Sequence, residues 1–464
     1  MSRAETIATN GLTREPNSRE DNKLRLEDRA AHDWYRFVLS FPPHLVRDYL
    51  RRFGIDNGKR VLDPFCGTGT TLVECKKLGI SSVGIESNPM ACFASQVKVD
   101  WQVDPDGLLH HASLIAKRTL AELGEQNIVD DTGGLPLFSK AQKTPTNLRT
   151  LPAEAWKLLL KDSISPLPLH KTLVLLDAIE NKKDERFCRH ELLALAKALV
   201  FGISNLHFGP EVGVRPARAD APVIATWLKG VRAMSDDLRE LQGRADAEAV
   251  VHQADSRCLS TVLEPNSVDA VITSPPYPNE KDYTRTTRLE LVLLGFICSR
   301  QELRTLKQSL VRSNTRGVYK ADHDDLLVAD HREIQRIASA IEDRRIELGK
   351  TSGFERLYGR VTKLYFGGMA RHLAELRTVL RPGAQLAYVV GDQASYLQVM
   401  IRTGRLLAEI AESLGYEIVS MDLFRTRLAT ATKDQLREEV LVLRWPGVGR
   451  ARHNPKQNHV ALAG

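Results

Sequence analysis

Val271-Ile272-Thr273-Ser274-Pro275-Pro276-Tyr277 is an apolar run that stops at a hydroxyl, two prolines and an aromatic ring. With Ser267-Val268-Asp269-Ala270 before it, the run reads as a short buried strand. Proline lacks an N–H and restricts the residue before it, so the strand cannot continue through Pro275 and Pro276. The chain must leave the sheet at Ser274. A polar side chain, carbonyls outside the ladder and a Tyr ring are thus delivered to the C-terminal edge of a strand, where open α/β sheets bind ligands. Pro-Pro-Tyr by itself also describes an ordinary proline turn, so the reading rests on what stands upstream.

Upstream, Arg60-Val61-Leu62 is a short strand followed directly by Asp63-Pro64-Phe65-Cys66-Gly67-Thr68-Gly69-Thr70-Thr71 and a helical run from Leu72 to Leu78 closed by Gly79. Glycines at a strand-to-helix turn let the backbone approach a ligand closely, and the helix N-terminus behind them favours polar or anionic groups. A second strand, Ser81 to Ile85, ends in Glu86-Ser87-Asn88-Pro89. Glu86 follows the glycine turn by about 20 residues, the place from which an acidic side chain binds ribose hydroxyls. The loop lacks the third glycine of a dinucleotide fingerprint and the Gly-Lys-Ser/Thr of a phosphate-binding loop. It suits a ligand with a ribose and no pyrophosphate, of which S-adenosylmethionine is one.

At 464 residues, 42% hydrophobic and 27% charged, the chain fits one large domain with insertions or two to three domains. No stretch has the roughly 18 to 20 uncharged apolar residues of a membrane span. The first residues, with Arg3, Glu5, Arg14 and Glu15, lack the apolar core of a signal segment, so a cytoplasmic location is expected. The six cysteines form no Cys-x-x-Cys pair and no Cys/His cluster, so no metal site is expected. A net charge of +7 favours polyanionic partners without specifying one.

Residues 1–30 are polar and aperiodic and read as an arm. Residues 31–104 form the first half of an α/β core, in which Pro42-Pro43 of Ser40-Phe41-Pro42-Pro43 starts a helix running to Arg52. Residues 105–245 carry helical patterns at Leu108 to Leu123, Ala153 to Lys161, His170 to Ile179, Glu191 to Ile203 and Ala225 to Leu241, and read as a large helical insertion. A Gly/Pro/Arg-rich loop from Phe208 to Arg218 interrupts it. The sheet resumes at Ala249 to Gln253, ending in Ala254-Asp255-Ser256, and residues 246–446 complete the core. Within that half, Arg285 to Phe296 reads as helix and 298–350 as a charged helical segment. A helix from Gly367 to Leu380 stops at Arg381-Pro382-Gly383. Gln385 to Val390 is a strand, Arg402 to Ser413 a helix, and Tyr416 to Ser420 with Val440 to Leu443 an antiparallel pair. Residues 447–464 read as a tail. The basic run Arg300, Arg304, Lys307, Arg312, Arg316 and Lys320 suits either a solvated helix face or a phosphate contact.

In this order the blocks resemble the S-adenosylmethionine-dependent DNA amino-methyltransferases, which modify adenine N6 or cytosine N4. Asp63 to Thr71 looks like that family's cofactor loop, Glu86 like its ribose-binding acid and Asp255 like the residue that reads the cofactor adenine. Ser274-Pro275-Pro276-Tyr277 is similar to the catalytic tetrapeptide, and Ser40-Phe41-Pro42-Pro43 to the segment over the methionine end of the cofactor. The matched blocks span about half the chain. The resemblance implies a Rossmann-like class I methyltransferase, with a mostly parallel seven-stranded sheet, an antiparallel edge strand and the helical insertion. It implies S-adenosylmethionine bound by Ser40, Phe41, Pro42, Asp63, Pro64, Phe65, Cys66, Gly67, Thr68, Gly69, Thr70, Glu86, Ser87, Asp255 and Ser256. Double-stranded DNA is the implied partner, with a cognate restriction or defence component as a second. Arg215, Arg218, Arg312 and Arg316 are candidate DNA contacts, and residues 105–245 and 298–350 are both candidate target-recognition regions, the first favoured by its size.

The chemistry that follows is methyl transfer to an exocyclic amine. Such an amine is a poor nucleophile because its lone pair is delocalised into the ring. Acceptors that pull on its two N–H bonds localise the pair, and Ser274 Oγ with the Pro275 carbonyl are the expected acceptors. Tyr277 is expected to stack on the base, which must first be flipped from the duplex. Ser at the first catalytic position resembles the cytosine-N4 members. The cofactor loop precedes the catalytic motif here, whereas many Ser-bearing members permute the other way, so adenine N6 stays open as the target. RNA or a protein glutamine as substrate, and a non-catalytic binding module, are the other readings. Cytosine-C5 chemistry needs a cysteine after a proline, and none of the six follows one.

Overall fold

A computed structural model describes residues 24–36, 40–130, 147–208, 212–244, 247–279, 281–428 and 435–447. Seven strands form the main sheet: β1 Arg60–Asp63, β2 Ser81–Ile85, β5 Ala249–His252, β6 Val268–Thr273, β7 Leu380–Gly391, β8 Glu417–Leu428 and β9 Gln435–Arg444. Two more, β3 Leu206–Phe208 and β4 Val212–Val214, make a small antiparallel hairpin. The sheet order is β5-β2-β1-β6-β7-β9-β8. β1 runs parallel to both β2 and β6, β2 to β5, and β6 to β7. β9 is antiparallel to β7 and β8. This is the expected Rossmann-like sheet, with its antiparallel strand one place in from the edge.

Side-chain alternation explains why the central strands are apolar throughout. Val61, Ala270, Ile272, Ala387, Val389, Val440 and Val442 face one way and pack with Leu45, Val46, Tyr49 and Leu50 of the helix Pro43–Arg52. Leu62, Val271, Leu386, Tyr388, Leu441 and Leu443 face the other way. They pack with the helices Arg332–Glu347, Tyr358–Leu376 and Thr403–Ser413. A parallel sheet covered on both faces has no wet side, so neither set can be polar.

Among the described residues, the segment 105–245 is mainly helical and also holds the β3–β4 hairpin. Pro105–Glu125, Pro166–Asn181, Cys188–Ala198 and Val223–Leu241 share one apolar cluster with Met90 and Val97 of the helix Pro89–Lys98 and with Leu289 to Leu293. It is therefore rooted on the core.

Several boundaries differ from the sequence reading. Ala153 to Lys161 contains only the short helix Ala153–Trp156. The helix expected from Arg285 to Phe296 is broken at Thr287 into Tyr283–Thr286 and Arg288–Leu293. The helix before β7 ends at Leu376, and Arg381-Pro382-Gly383 lies within β7, where the pairing with β6 slips between Val268 and Ala270. An irregular ladder tolerates a proline that a regular one would not. Only the end of the expected arm is packed: Asp28 and Ala30 are buried and Asp28 pairs with Arg47, whereas Arg25 to Glu27 are exposed. The rest of that arm, residues 1–23, and residues 448–464 of the expected tail lie outside the described residues.

Candidate functional site

β1 and β6 are neighbours, yet the chain leaves β1 toward β2 and β5 on one side and leaves β6 toward β7 on the other. That reversal opens a crevice at the strands' C-terminal ends. Val61 pairs with Ala270 and Leu62 with Val271, so Asp63 and Thr273 end the two strands side by side. Thr273 Oγ1 donates to Asp63 Oδ1 at 2.6 Å. The cofactor loop and the Ser-Pro-Pro-Tyr stretch therefore leave the sheet at the same point.

The loop after β1 is held by its neighbours. Gly67 and Gly69 adopt positive φ, +52° and +83°. A Cβ on Gly69 would lie 2.4 Å from Ser95 Oγ, so no side chain fits there. Gly67 N–H donates to Glu86 Oε2 at 2.9 Å and Asn88 N–H to Glu86 Oε1 at 2.7 Å. Glu86 thus stands at the end of β2 with its carboxylate oriented by two backbone donors. Burial pushes it up to about 7 even so, and pushes Asp63 up to about 6. Lys98 Nζ, buried, donates to the carbonyls of Thr68 at 2.7 Å and Tyr35 at 3.3 Å. It ties the loop to the segment leading into Ser40, a link that nothing in the sequence pattern signalled.

A cavity of about 570 Å³ opens over these elements. From the expected cofactor set it is lined by Ser40, Phe41, Pro64, Phe65, Cys66, Gly67, Thr68, Thr70, Glu86, Ser87 and Ser256. Pro42, Asp63, Gly69 and Asp255 are not in its wall. Asp63 and Gly69 lie behind it, and Asp255 gives both carboxylate oxygens to Arg257, with Nη2 to Oδ2 at 2.7 Å. All four residues of the Ser274-Pro275-Pro276-Tyr277 stretch line the same cavity. Ser274 Oγ donates to the Val389 carbonyl at 3.2 Å and also lies in hydrogen-bonding reach of the Tyr277 hydroxyl. The Tyr277 ring lies against Gly391 of β7: a Cβ there would meet Tyr277 Cε2 at 3.0 Å. Burial pushes the Tyr277 hydroxyl well above its usual range, so the phenol is neutral.

The donor set fits the cofactor the sequence implies. Glu86 offers carboxylate acceptors to ribose hydroxyls, and Thr68 Oγ1 is a buried, unpartnered hydroxyl in the cavity wall. Asp63 Oδ2, behind the loop, is also buried without a partner.

The four arginines singled out for DNA are placed differently from one another. Arg215 and Arg218 are exposed beside the β3–β4 hairpin, and the Arg218 guanidinium donates to the carbonyls of Gly202 and Ser204. Arg316 is exposed and lies over the Phe354 ring. Arg312 is buried in the cavity wall. Its Nε and Nη2 bind Asp322 at 2.9 and 2.8 Å, and its remaining donors go to the carbonyls of Lys307, Gln308 and Leu310. A guanidinium has five N–H donors, and all five are engaged within the protein.

Sequence reading did not single out the far wall, which includes Asn279, Asn314, Gln393, Ser395, Phe424 and Glu438. These positions arrive from separate segments and carry no shared motif. Among the described residues, no group of three or more His, Cys, Asp or Glu is arranged to hold a metal. No helix among the described residues is long and apolar enough to cross a membrane.

Comparison with known proteins points the same way as the geometry. A family model described as DNA methylase matches residues 11–96. Over 435 residues the chain is 25% identical to the Type II methyltransferase M.BsoBI of Geobacillus stearothermophilus, covering 88% of this chain and 82% of that one. It is 25% identical over 444 residues to the Type II methyltransferase M.AvaI of Anabaena variabilis, covering 90% and 87%. A shorter match, 40% identical over 71 residues, joins 15% of this chain to 13% of the Type II methyltransferase M.MjaII of Methanocaldococcus jannaschii.

Proposed function

We propose, from the match of residues 11–96 to a DNA methylase family model and the likeness to Type II methyltransferases, that the chain is an S-adenosylmethionine-dependent amino-methyltransferase that methylates the exocyclic amine of a base flipped out of double-stranded DNA, at cytosine N4. The observation that carries this reading is one shared cavity, lined by Thr68 and Glu86 on one side and by Ser274, Pro275 and Tyr277 on another. Cofactor-binding and catalytic groups are thereby within reach of one another, as methyl transfer between two bound molecules requires.

S-adenosylmethionine, when bound, supplies an electrophilic methyl group on a sulfonium. Glu86 holds the ribose, and the loop from Pro64 to Thr70 holds the rest of the cofactor. Ser274 Oγ, its proton already directed at the Val389 carbonyl, accepts an N–H of the target amine, and the Pro275 carbonyl accepts the other. Both withdraw the amine lone pair from ring delocalisation and aim it at the methyl. Tyr277 offers a neutral aromatic face to the flipped base, worth on the order of 1–3 kcal/mol. Ser274 at the first position of the tetrapeptide favours cytosine N4 over adenine N6. The net charge of +7 suits a duplex partner.

Transfer of labelled methyl from S-adenosylmethionine to duplex DNA, RNA and bulk protein tests the substrate class. Incorporation into DNA, lost in Ser274→Ala, is expected. Incorporation into RNA or protein alone would overturn the reading.

A further inference from the structure

Two arginines staple one side of the cavity wall. Arg257, 8% exposed, follows β5, and its Nε and Nη2 lie on the Asp255 carboxylate. Its Nη1 donates to Asp324 Oδ2 at 2.7 Å, and Nη2 donates also to the Gln308 carbonyl at 2.9 Å. Arg312 Nη2 donates to the same carbonyl at 3.2 Å, with Asp322 as its own carboxylate. Asp324 is fixed in turn by the helix Tyr358–Leu376, where a Cβ on Gly367 would lie 1.8 Å from the Asp324 carbonyl oxygen. After Gln308 come Ser309, Leu310, Val311, Arg312 and Ser313, all in the cavity wall. Ser87 Oγ, just beyond β2, lies 2.7 Å from the Ala254 carbonyl and 3.1 Å from the Ser309 carbonyl. The ends of β2 and β5 and the segment 309–313 therefore meet on one side of the cavity.

That side is where the cofactor's base belongs. The methyl group is needed at Ser274, after β6, and the ribose at Glu86, after β2. The sheet order β5-β2-β1-β6 then carries the adenine, on the far side of the ribose, toward the end of β5. We propose that Asp255 serves this adenine indirectly, as a positioning residue: it fixes Arg257, and Arg257 fixes the segment 309–313 as the wall against which the base packs. The inference rests on the cofactor site read above. It departs from the role that the resemblance implies for Asp255. A carboxylate that gives both oxygens to a guanidinium and stands outside the cavity wall is not placed to accept from the adenine amine. The cost of loosening this fork falls on cofactor affinity and spares the chemistry at Ser274.

The test measures binding of S-adenosylhomocysteine to the full chain, beside its deaminated analogue S-inosylhomocysteine, which has a carbonyl in place of the adenine amine. Asp255→Asn is expected to raise Kd for both ligands by the same factor, roughly 3- to 30-fold, a part of what a hydrogen bond between charged groups contributes. In an Arg257→Met background the same substitution should add nothing, since the fork it served is gone. Methyl transfer by Asp255→Asn should show a higher KM for S-adenosylmethionine, with kcat and the KM for DNA unchanged. Arg257→Lys, which keeps the charge and loses the fork, repeats the cycle should the methionine variant fold poorly. A loss confined to the adenosyl ligand would make Asp255 a reader of the amine. That result, an undiminished loss in the Arg257→Met background, or unchanged affinity for both ligands would overturn this assignment alone. Failure of the wild-type chain to bind S-adenosylhomocysteine would overturn the cofactor site and this inference with it.

Discussion

Thr273 and Asp63 end adjacent parallel strands and are joined by a 2.6 Å hydrogen bond from the threonine hydroxyl to the carboxylate. One strand carries the cofactor loop and the other the Ser-Pro-Pro-Tyr stretch, so this bond sets the two at a common height. Burial pushes Asp63 up to about 6, against the opposing pull of the Thr273 hydroxyl and the Phe65 N–H. An acid raised in this way binds its proton more tightly folded than unfolded, so its contribution to stability declines as pH rises from about 4 through 6. Thr273→Val removes a donor from the ionised form, at a cost of about 1–3 kcal/mol. The loss should be larger at pH 8 than at pH 5, as measured by urea unfolding. Equal losses at both pH values would mean that the hydroxyl does not serve the carboxylate.

If Glu86 holds the ribose as proposed, it is expected to set the pH dependence of cofactor binding. Burial raises it to about 7, and only the ionised carboxylate is purely an acceptor for ribose hydroxyls. Affinity for S-adenosylmethionine should therefore climb by up to tenfold per pH unit below 7 and level off above it. Calorimetric titration from pH 6 to 8.5 reads this directly. Glu86→Gln should bind more weakly with a flat profile. A wild-type profile that is already flat would remove Glu86 from the ribose site.

Ser274→Ala should lower kcat by on the order of 10² while leaving cofactor affinity unchanged, because it deletes an acceptor needed only as the amine attacks. Tyr277→Ala should weaken DNA binding by about 1–3 kcal/mol, and Tyr277→Phe should restore it, since the stacking face and not the hydroxyl is used. Single-turnover rates with labelled methyl separate the two effects. A Tyr277→Phe variant as impaired as Tyr277→Ala would show the hydroxyl to be essential.

The two loop glycines should differ. Gly69→Ala forces a side chain into a positive φ and to within 2.4 Å of Ser95 Oγ, and is expected to cost on the order of 3 kcal/mol and to lower cofactor affinity. Gly67→Ala meets nothing within 4 Å, so it should cost only the left-handed backbone strain of about 1–2 kcal/mol. Thermal unfolding of both variants checks the order. Equal destabilisation would show that contact with Ser95 is unimportant.

Much of this was legible because it is local. β1, β2 and β6 are short apolar runs cut off by Gly or Pro, and Asp63 to Thr71, Glu86 and Ser274 to Tyr277 sit at their ends. The extent of β8 and β9 was not legible. Beyond their apolar cores they continue through charged residues such as Arg425 and Glu438, which pair across the ladder, a relation that hydrophobic pattern cannot express. The β3–β4 hairpin lies partly in a Gly/Pro-rich stretch that reads as loop. Arg312 drew attention through the charge of its neighbourhood, whereas its donors are consumed by Asp322 and three carbonyls from its own segment. Asn314 and Gln393 are ordinary polar letters, and only tertiary folding brings them into the cavity of Ser274.

The central claim, amine methylation of a DNA base, is tested most directly by the product. Unmethylated duplex DNA is incubated with the protein and S-adenosylmethionine, digested to nucleosides and resolved by mass spectrometry. The account predicts N4-methylcytosine, with N6-methyladenine as the other product its amine chemistry allows. DNA that carries neither modified base would contradict it.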